Sequence, residues 1–240
     1  MINTLRGWIF YLVLALSIIV MTLLVLATWP FTSAEWRFRA ICRPWCMFVL
    51  AALKAVCGLS YRVKGMENVP DGSQPVMVLS KHQSAWDPFG LGAVIPQPSC
   101  YLYKKSLNRI PFLGWALFAM DMLSIDRKDG RSSFQKFLEK GREKLKRGWW
   151  ICLFPEGTRC PPGGHVRYKT GGARVACATG TPVLPIAHNA GLFWPKDSIA
   201  KRPGVITISI GPLIRPEGLD PQELTAKVEA WIEDELQRLD

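Results

Sequence analysis

Between Arg6 and Glu35 the chain carries no charged residue, and Trp8 to Ala27 is almost wholly Leu, Ile, Val, Ala and aromatic. A run of about 20 such residues can cross a hydrocarbon core of about 30 Å as a helix, and Trp8 and Trp29 stand where interfacial anchors belong. A cleaved signal sequence is the competing reading, but the run is long for one and no A-x-A site closes it. Arg37, Arg39 and Arg43 follow the run and only Arg6 precedes it, so a spanning helix leaves the bulk of the chain in the cytoplasm. A second apolar stretch, Pro44 to Leu59, contains Lys54 and is interrupted by Cys and by Gly58. It is short for a span, and a helix in the interface or one paired with the first fits equally. Residues 1–59 are therefore expected to be membrane-anchoring helices.

From Ser60 onward the pattern changes. Tyr61 to Lys64, Val76 to Ser80, Tyr101 to Tyr103, Met122 to Ile125, Trp149 to Phe154, Pro182 to Ala187 and Val205 to Ile210 read as short buried strands, with helical patterns between most of them. This alternation predicts an α/β domain over 60–240, with one mostly parallel sheet covered by helices. Phe134, Phe137, Leu138 and Leu145 form one stripe of a helix over 132–147. From Arg127 to Arg147 nine Lys or Arg stand against three Asp or Glu, which makes a solvated face or a docking surface for anionic headgroups or an acidic carrier. The last helix begins at Asp220-Pro221 with Glu223 at its third position, a capping box, and turns Leu224, Val228, Trp231, Ile232 and Leu239 inward.

The formal charge of +11 favours anionic partners, and ten Trp with the apolar run point to a membrane rather than to nucleic acid, for which no binding motif is present. Seven Cys without a C-x-x-C pair read as reduced core thiols. His82, His165 and His188 are too scattered for a transition-metal site, so no metal is expected.

The chemistry concentrates at Lys81-His82-Gln83-Ser84-Ala85-Trp86-Asp87-Pro88. On one continuous helix His82 and Asp87 would lie roughly 140° apart. They can meet only if His82 sits in a strand-to-helix loop that folds back, with Asp87-Pro88 opening the helix as an N-cap and first residue. A carboxylate so placed holds an imidazole as a general base. Three His and nine Asp in 240 residues yield such a spacing by chance in about one chain in nine, so other residues must decide. Phe154-Pro155-Glu156-Gly157-Thr158-Arg159 follows another apolar strand, where ligands gather in open α/β sheets, and offers a guanidinium fork and backbone donors to an anion.

The order His82-x4-Asp87, Lys104-Lys105-Ser106-Leu107-Asn108-Arg109-Ile110-Pro111-Phe112-Leu113-Gly114-Trp115, Ile125-Asp126-Arg127, Phe154 to Arg159 and Val183-Leu184-Pro185-Ile186 resembles the glycerolipid acyltransferase family. The likeness covers roughly residues 60 to 212 and is closest to bacterial 1-acyl-glycerol-3-phosphate acyltransferases. It implies His82 as base and Asp87 as its orienting acid. It implies Lys104, Glu156, Gly157, Thr158 and Arg159 as binders of the acceptor phosphate, and Leu184, Pro185 and Ile186 as support for the acyl site. The implied substrates are lysophosphatidate and an acyl chain carried by CoA or acyl carrier protein, with no resident cofactor, at a phospholipid bilayer. Lys81 stands where family members often have Asn, Cys160 where Ser is common and Leu184 where Val is common. No G-x-S-x-G elbow is present, so no acyl-enzyme is expected. The rivals are a sister enzyme acting on glycerol 3-phosphate or another lysolipid, and a non-catalytic module that binds anionic lipid.

Overall fold

The computed structural model describes residues 1–72, 74–126 and 130–239. Ser73 of the turn before the second strand, Arg127 of the Ile125-Asp126-Arg127 block and the start of the basic run at 127–129 lie outside the described residues. The helices are α1 Ile2–Thr28, α2 Ala34–Arg37, α3 Arg43–Cys57, α4 Asp87–Val94, α5 Leu113–Ala119, α6 Gly130–Lys146, α7 Gly171–Thr179, α8 Ala190–Phe193 and α9 Pro221–Leu236. The strands are β1 Leu59–Lys64, β2 Met77–Ser80, β3 Ser99–Lys104, β4 Leu123–Ile125, β5 Trp150–Leu153, β6 Val183–His188 and β7 Gly204–Ile210. Each expected strand forms, within two residues of its expected ends.

The sheet runs β1-β7-β6-β2-β5-β3-β4, and only β6 and β7 pair antiparallel. Because β6, β2, β5, β3 and β4 all point the same way, the loops that follow β2, β5 and β3 leave one edge side by side. Successive strand residues face opposite layers. Val78, Cys152, Leu184 and Ile186 pack with Val49 and Leu53 of α3, Leu91 of α4 and Trp86 just before α4. Met77, Leu79, Ile151 and Leu153 pack with Phe137, Val175, Leu224, Val228 and Ile232 of α6, α7 and α9. The α9 capping box forms as expected, and Trp231 packs at the edge of that second layer.

The two apolar stretches form a helical hairpin, with α1 against α3. At 27 residues α1 is about 40 Å long. Ile2–Phe31 and Ala34–Cys57 have mean hydropathies of 2.9 and 1.6, and only 22% and 28% of their most apolar stretches is buried. Before Pro44 the chain widens into a π-turn over Phe38–Cys42, as expected where a proline lacks the N–H and crowds the preceding turn. Arg37 is buried, with its guanidinium donating to the Trp29, Thr32 and Ala119 carbonyls. It ties the hairpin turn to the end of α5.

The hairpin also grips the α/β layer. Thr22 donates to the Phe112 carbonyl at 3.2 Å, and Phe10 meets the Trp194 ring edge-on at 5.4 Å. The buried Lys201 ammonium donates to the Ile199 carbonyl at 2.8 Å and lies 3.5 Å from the Tyr11 ring centroid and 4.6 Å from that of Trp194. Gly7 permits this approach, since a Cβ there would lie 2.1 Å from the Ile199 carbonyl oxygen. Gly7→Val should therefore lift the start of α1 off the 194–201 segment and destabilise the protein by about 1–3 kcal/mol. Thermal unfolding in detergent micelles checks it, and an unchanged midpoint would refute the packing role.

Candidate active site

The β2 strand ends at Ser80, and its chain turns through Lys81 and His82 before α4 begins at Asp87. The His82 Nδ1 and Asp87 Oδ2 atoms are 2.7 Å apart, so the fold-back required by their spacing is made. Asp87 does not cap α4, however. Helix α4 starts with Asp87 itself, after Trp86 at the cap position. Its Oδ2 instead accepts from the backbone N–H groups of Gln83 at 2.8 Å and Ser84 at 3.0 Å. The carboxylate thus folds back over its own loop. It is fully buried, and as an acceptor it fixes the proton on His82 Nδ1 and leaves Nε2 as the basic nitrogen. The imidazole is 21% exposed and stacks on Phe154, with centroids 4.1 Å apart and planes 14° apart. Solvent or substrate can reach the ring while its tilt is held.

A second imidazole stands behind this pair. His188, at the end of β6, is fully buried, with Nε2 2.9 Å from the Lys81 carbonyl and 3.6 Å from Asp87 Oδ1. Asp87 Oδ1 has no hydrogen-bond partner of its own. His188 Nδ1 accepts from the Ala190 N–H at 3.3 Å, so the ring is neutral with its proton on Nε2. Burial lowers its pKa, with Asp87 opposing.

Glu156 joins the β5 loop to the β2 loop. It is 1% exposed, and its Oε2 accepts from the His82 N–H at 2.9 Å. Its Oε1 lies 3.1 Å from the buried Lys81 ammonium, which also meets Glu233 of α9 at 2.7 Å. Burial pushes Glu156 up to about 7, against the pull of Lys81. For Lys81 burial works against the charged form, but the two carboxylates outweigh it and its pKa is raised. Glu156 therefore faces inward, away from the surface where an acceptor phosphate would arrive.

Gly157 has φ of +69°, a conformation that favours glycine, and its N–H closes the turn on the Phe154 carbonyl at 3.0 Å. Thr158 is exposed. Arg159 is half-buried and pairs with the exposed Asp197 at 3.0 Å. A cation that sequence reasoning passed over, Lys169, reaches the same turn: its Nζ lies 2.7 Å from where a Gly157 Cβ would stand. Its backbone N–H donates to the Pro155 carbonyl at 2.9 Å. Lys104 is exposed at the end of β3, beyond β5 from His82. Leu184, Pro185 and Ile186 are buried in β6, where the Ile186 carbonyl accepts from the Lys81 N–H at 2.9 Å. They support the catalytic loop from below. Cys160 is buried, and its N–H donates to the His82 carbonyl at 2.7 Å.

A histidine with a free Nε2, backed by a buried carboxylate and flanked by cations at the edge of a mostly parallel sheet, has the geometry a general base for an anionic substrate needs. An acyltransferase family model matches residues 60–189. The chain is 39% identical over 234 residues to a 1-acyl-sn-glycerol-3-phosphate acyltransferase of Pseudomonas aeruginosa, covering 96% of this chain and 90% of that one. It is 32% identical over 160 residues to the enzyme of that name from Borreliella burgdorferi, covering 66% and 63%. The fold matches the crystal structure of the 1-acyl-sn-glycerophosphate acyltransferase of Thermotoga maritima with a TM-score of 0.82 at 22% identity, over 98% of this chain and 95% of that one. The chain belongs to the acyltransferase family.

The neutral His188 carries a pH consequence. Unfolded, it gains a proton as pH falls through its ordinary value of 6.5; folded, it resists doing so, so stability present above pH 6.5 is lost as pH falls below it. His188→Gln keeps a donor toward the Lys81 carbonyl and abolishes that titration. Chemical denaturation between pH 7.5 and 5 should show a shallower acid-side loss in the variant, and parallel curves would contradict this assignment.

Proposed function

We propose that the protein transfers an acyl chain from a thioester donor to the sn-2 hydroxyl of 1-acyl-glycerol-3-phosphate, giving phosphatidic acid. The observation that carries the reading is the His82–Asp87 pair held at the same sheet edge as the Gly157-Thr158-Arg159 turn. His82 Nε2 takes the hydroxyl proton as the oxygen attacks the thioester carbonyl. The attack forms the new C–O bond and leaves a tetrahedral oxyanion; its collapse restores the carbonyl and cleaves the C–S bond, and the proton on Nε2 passes to the departing thiolate. Asp87 keeps Nδ1 protonated and stabilises the imidazolium. Three protein groups gather the acceptor phosphate, Arg159, Lys104 and the Thr158 hydroxyl, while Gly157, whose N–H donates to the Phe154 carbonyl, shapes the turn that presents Thr158 and Arg159. Together they exchange translational freedom for orientation. Glu156 contributes by fixing the His82 backbone. Leu184, Pro185 and Ile186 support the acyl site from the strand beneath the loop. No resident cofactor enters the scheme, and the donor is acyl-CoA or acyl-acyl carrier protein.

Residues 1–59 serve as the membrane anchor of the catalytic region 60–240, which faces the cytoplasm. Trp8, Leu12, Leu16, Val20, Leu23 and Trp29 of the first stretch are exposed, and so are Ile110, Trp115 and Phe118 at α5. The apolar surface thus continues from the hairpin onto the catalytic layer, which suits a substrate drawn from a bilayer.

His82→Ala should lose at least about 100-fold in acyl transfer while membrane binding persists; turnover at the wild-type rate would exclude His82 as base. Arg159→Ala should raise KM for lysophosphatidate at least about tenfold with a smaller effect on kcat. Assay against lysophosphatidate and lysophosphatidylcholine side by side tests this, since loss of phosphate reading predicts a narrowed preference between them.

A further inference from the structure

A cavity of about 600 Å³ opens beside the C-terminal ends of β3 and β4, lined by Lys104, Lys105, Ser106, Asn108, Arg109 and Asp126, among others. A smaller cleft of about 130 Å³ adjoins it. That cleft shares Lys105 and Asp126 and adds Lys136, Phe137 and Lys140. Together the two concavities present five cations, Lys104, Lys105, Arg109, Lys136 and Lys140, against the single carboxylate of Asp126. Of the five, Lys105 alone has a carboxylate partner among the described residues, Asp126 at 3.7 Å. The wall is built rather than loose. The 3-10 turn over Lys105–Arg109 is held by Tyr103 donating to Asn108 Oδ1 at 2.7 Å. Gly114 lets α5 close on it, since a Cβ there would lie 2.5 Å from the Asn108 carbonyl oxygen.

Neither His82 nor Asp87 lines these clefts. Strands in a sheet are about 4.8 Å apart, so the ends of β3 and β4 lie two and three strands from β2, about 10–15 Å from the His82 loop. One phosphomonoester on the acceptor, already met by Arg159 and Lys104, does not require the other four cations at that remove. A donor whose acyl thioester sits at His82 and whose phosphates sit at the end of a long flexible arm does.

We propose that the paired clefts bind the 3′-phosphorylated adenosine diphosphate head of acyl-CoA, with the pantetheine arm running along the strand ends to His82. The inference rests on the acyl-transfer reading and names its donor. Concavity favours this ligand over a carrier protein, because a nucleotide fills a pocket of such size while a folded protein presents a convex surface. The nucleotide also brings three phosphates into the cleft, and a carrier protein brings one. Lys104, at the end of β3 and next to β5 in the sheet, stands between the two sites.

The test uses the full-length protein in detergent micelles, with Lys136→Ala/Lys140→Ala and Arg109→Ala as exposed substitutions that spare the core. Titration calorimetry with 3′,5′-ADP as probe should show binding to the wild type that weakens at least about tenfold in the double variant. KM for acyl-CoA should rise by a similar factor, while kcat, KM for lysophosphatidate and turnover of the acyl-N-acetylcysteamine thioester, which lacks phosphate, stay constant. Unchanged acyl-CoA KM and probe affinity would overturn the proposal. So would equal loss with the truncated thioester, or loss confined to acyl-acyl carrier protein, which would mark a protein-docking face. A wild type that binds 3′,5′-ADP but turns over no donor would instead sink the acyl-transfer reading and leave the binding site standing.

Discussion

The buried ammonium of Lys81, caught between Glu156 and Glu233, is the contact on which the rest of the site depends. It joins three elements distant in sequence: the loop after β2, the loop after β5 and helix α9. Burying these charges is costly, and the arrangement holds because each is paired. Glu156 is buried beside the cation, while Glu233 meets it from the more exposed side. Burial raises Glu156 against the pull of Lys81, and for Lys81 the two carboxylates outweigh burial and raise its pKa. The second oxygen of Glu156 then holds the His82 N–H. The two motifs that look separate along the chain, His82-x4-Asp87 and Phe154 to Arg159, are therefore one rigid unit.

A second connection runs from the hairpin to the same unit. The segment 194–201 takes Phe10, Tyr11 and Gly7 of α1 on one side. On the other, the Trp194 carbonyl accepts from Ser84 Oγ at 2.7 Å, and Ser84 donates its N–H to Asp87. Within the same segment Asp197 holds Arg159. One strap thus touches the apolar helix, the loop residue Ser84 that donates to Asp87, and the Arg159 guanidinium. A helix that looks like a tether in sequence also braces the chemistry, and displacement of α1 would be felt at both halves of the site.

Much of the architecture was legible beforehand because its causes are local. Short β-branched and aromatic runs bounded by turn residues marked all seven strands, and Asp220-Pro221 with Glu223 marked the start of α9. Helical geometry, which forbids His82 and Asp87 from sharing a face, showed that they could meet only through a loop that folds back, and the family resemblance supplied their roles. The failures have a common origin in tertiary context. Asp87 before Pro88 carries every local sign of a cap, yet its carboxylate is claimed by His82 and the loop N–H groups, a competition that periodicity does not register. Lys81 stands out in sequence only where the family often has Asn, and nothing near it shows that α9 will cover it. His188 is a lone histidine in an apolar strand, and nothing near it in sequence places it against Asp87. Lys169 lies ten residues past Arg159, and only the turn at Gly157 brings its ammonium back.

These contacts explain how a base on a loop can be held as firmly as one on a strand. Loops are ordinarily mobile because their backbone groups are solvated and their side chains few in contact. Here the backbone of the catalytic loop is spent almost entirely inside the protein. Lys81 N–H goes to Ile186, its carbonyl to His188, His82 N–H to Glu156, His82 carbonyl to Cys160, and the N–H groups of Gln83 and Ser84 to Asp87. Only the imidazole edge is left toward solvent. The order of the imidazole therefore comes from the segment after β5, from strand β6 and, through the Lys81 side chain, from helix α9, and a disturbance in any of the three would alter the aim of Nε2 without touching a reacting atom. That arrangement suits a general base whose partner hydroxyl arrives on a flexible lipid: the protein side of the encounter is fixed in advance, so that only the substrate must be ordered.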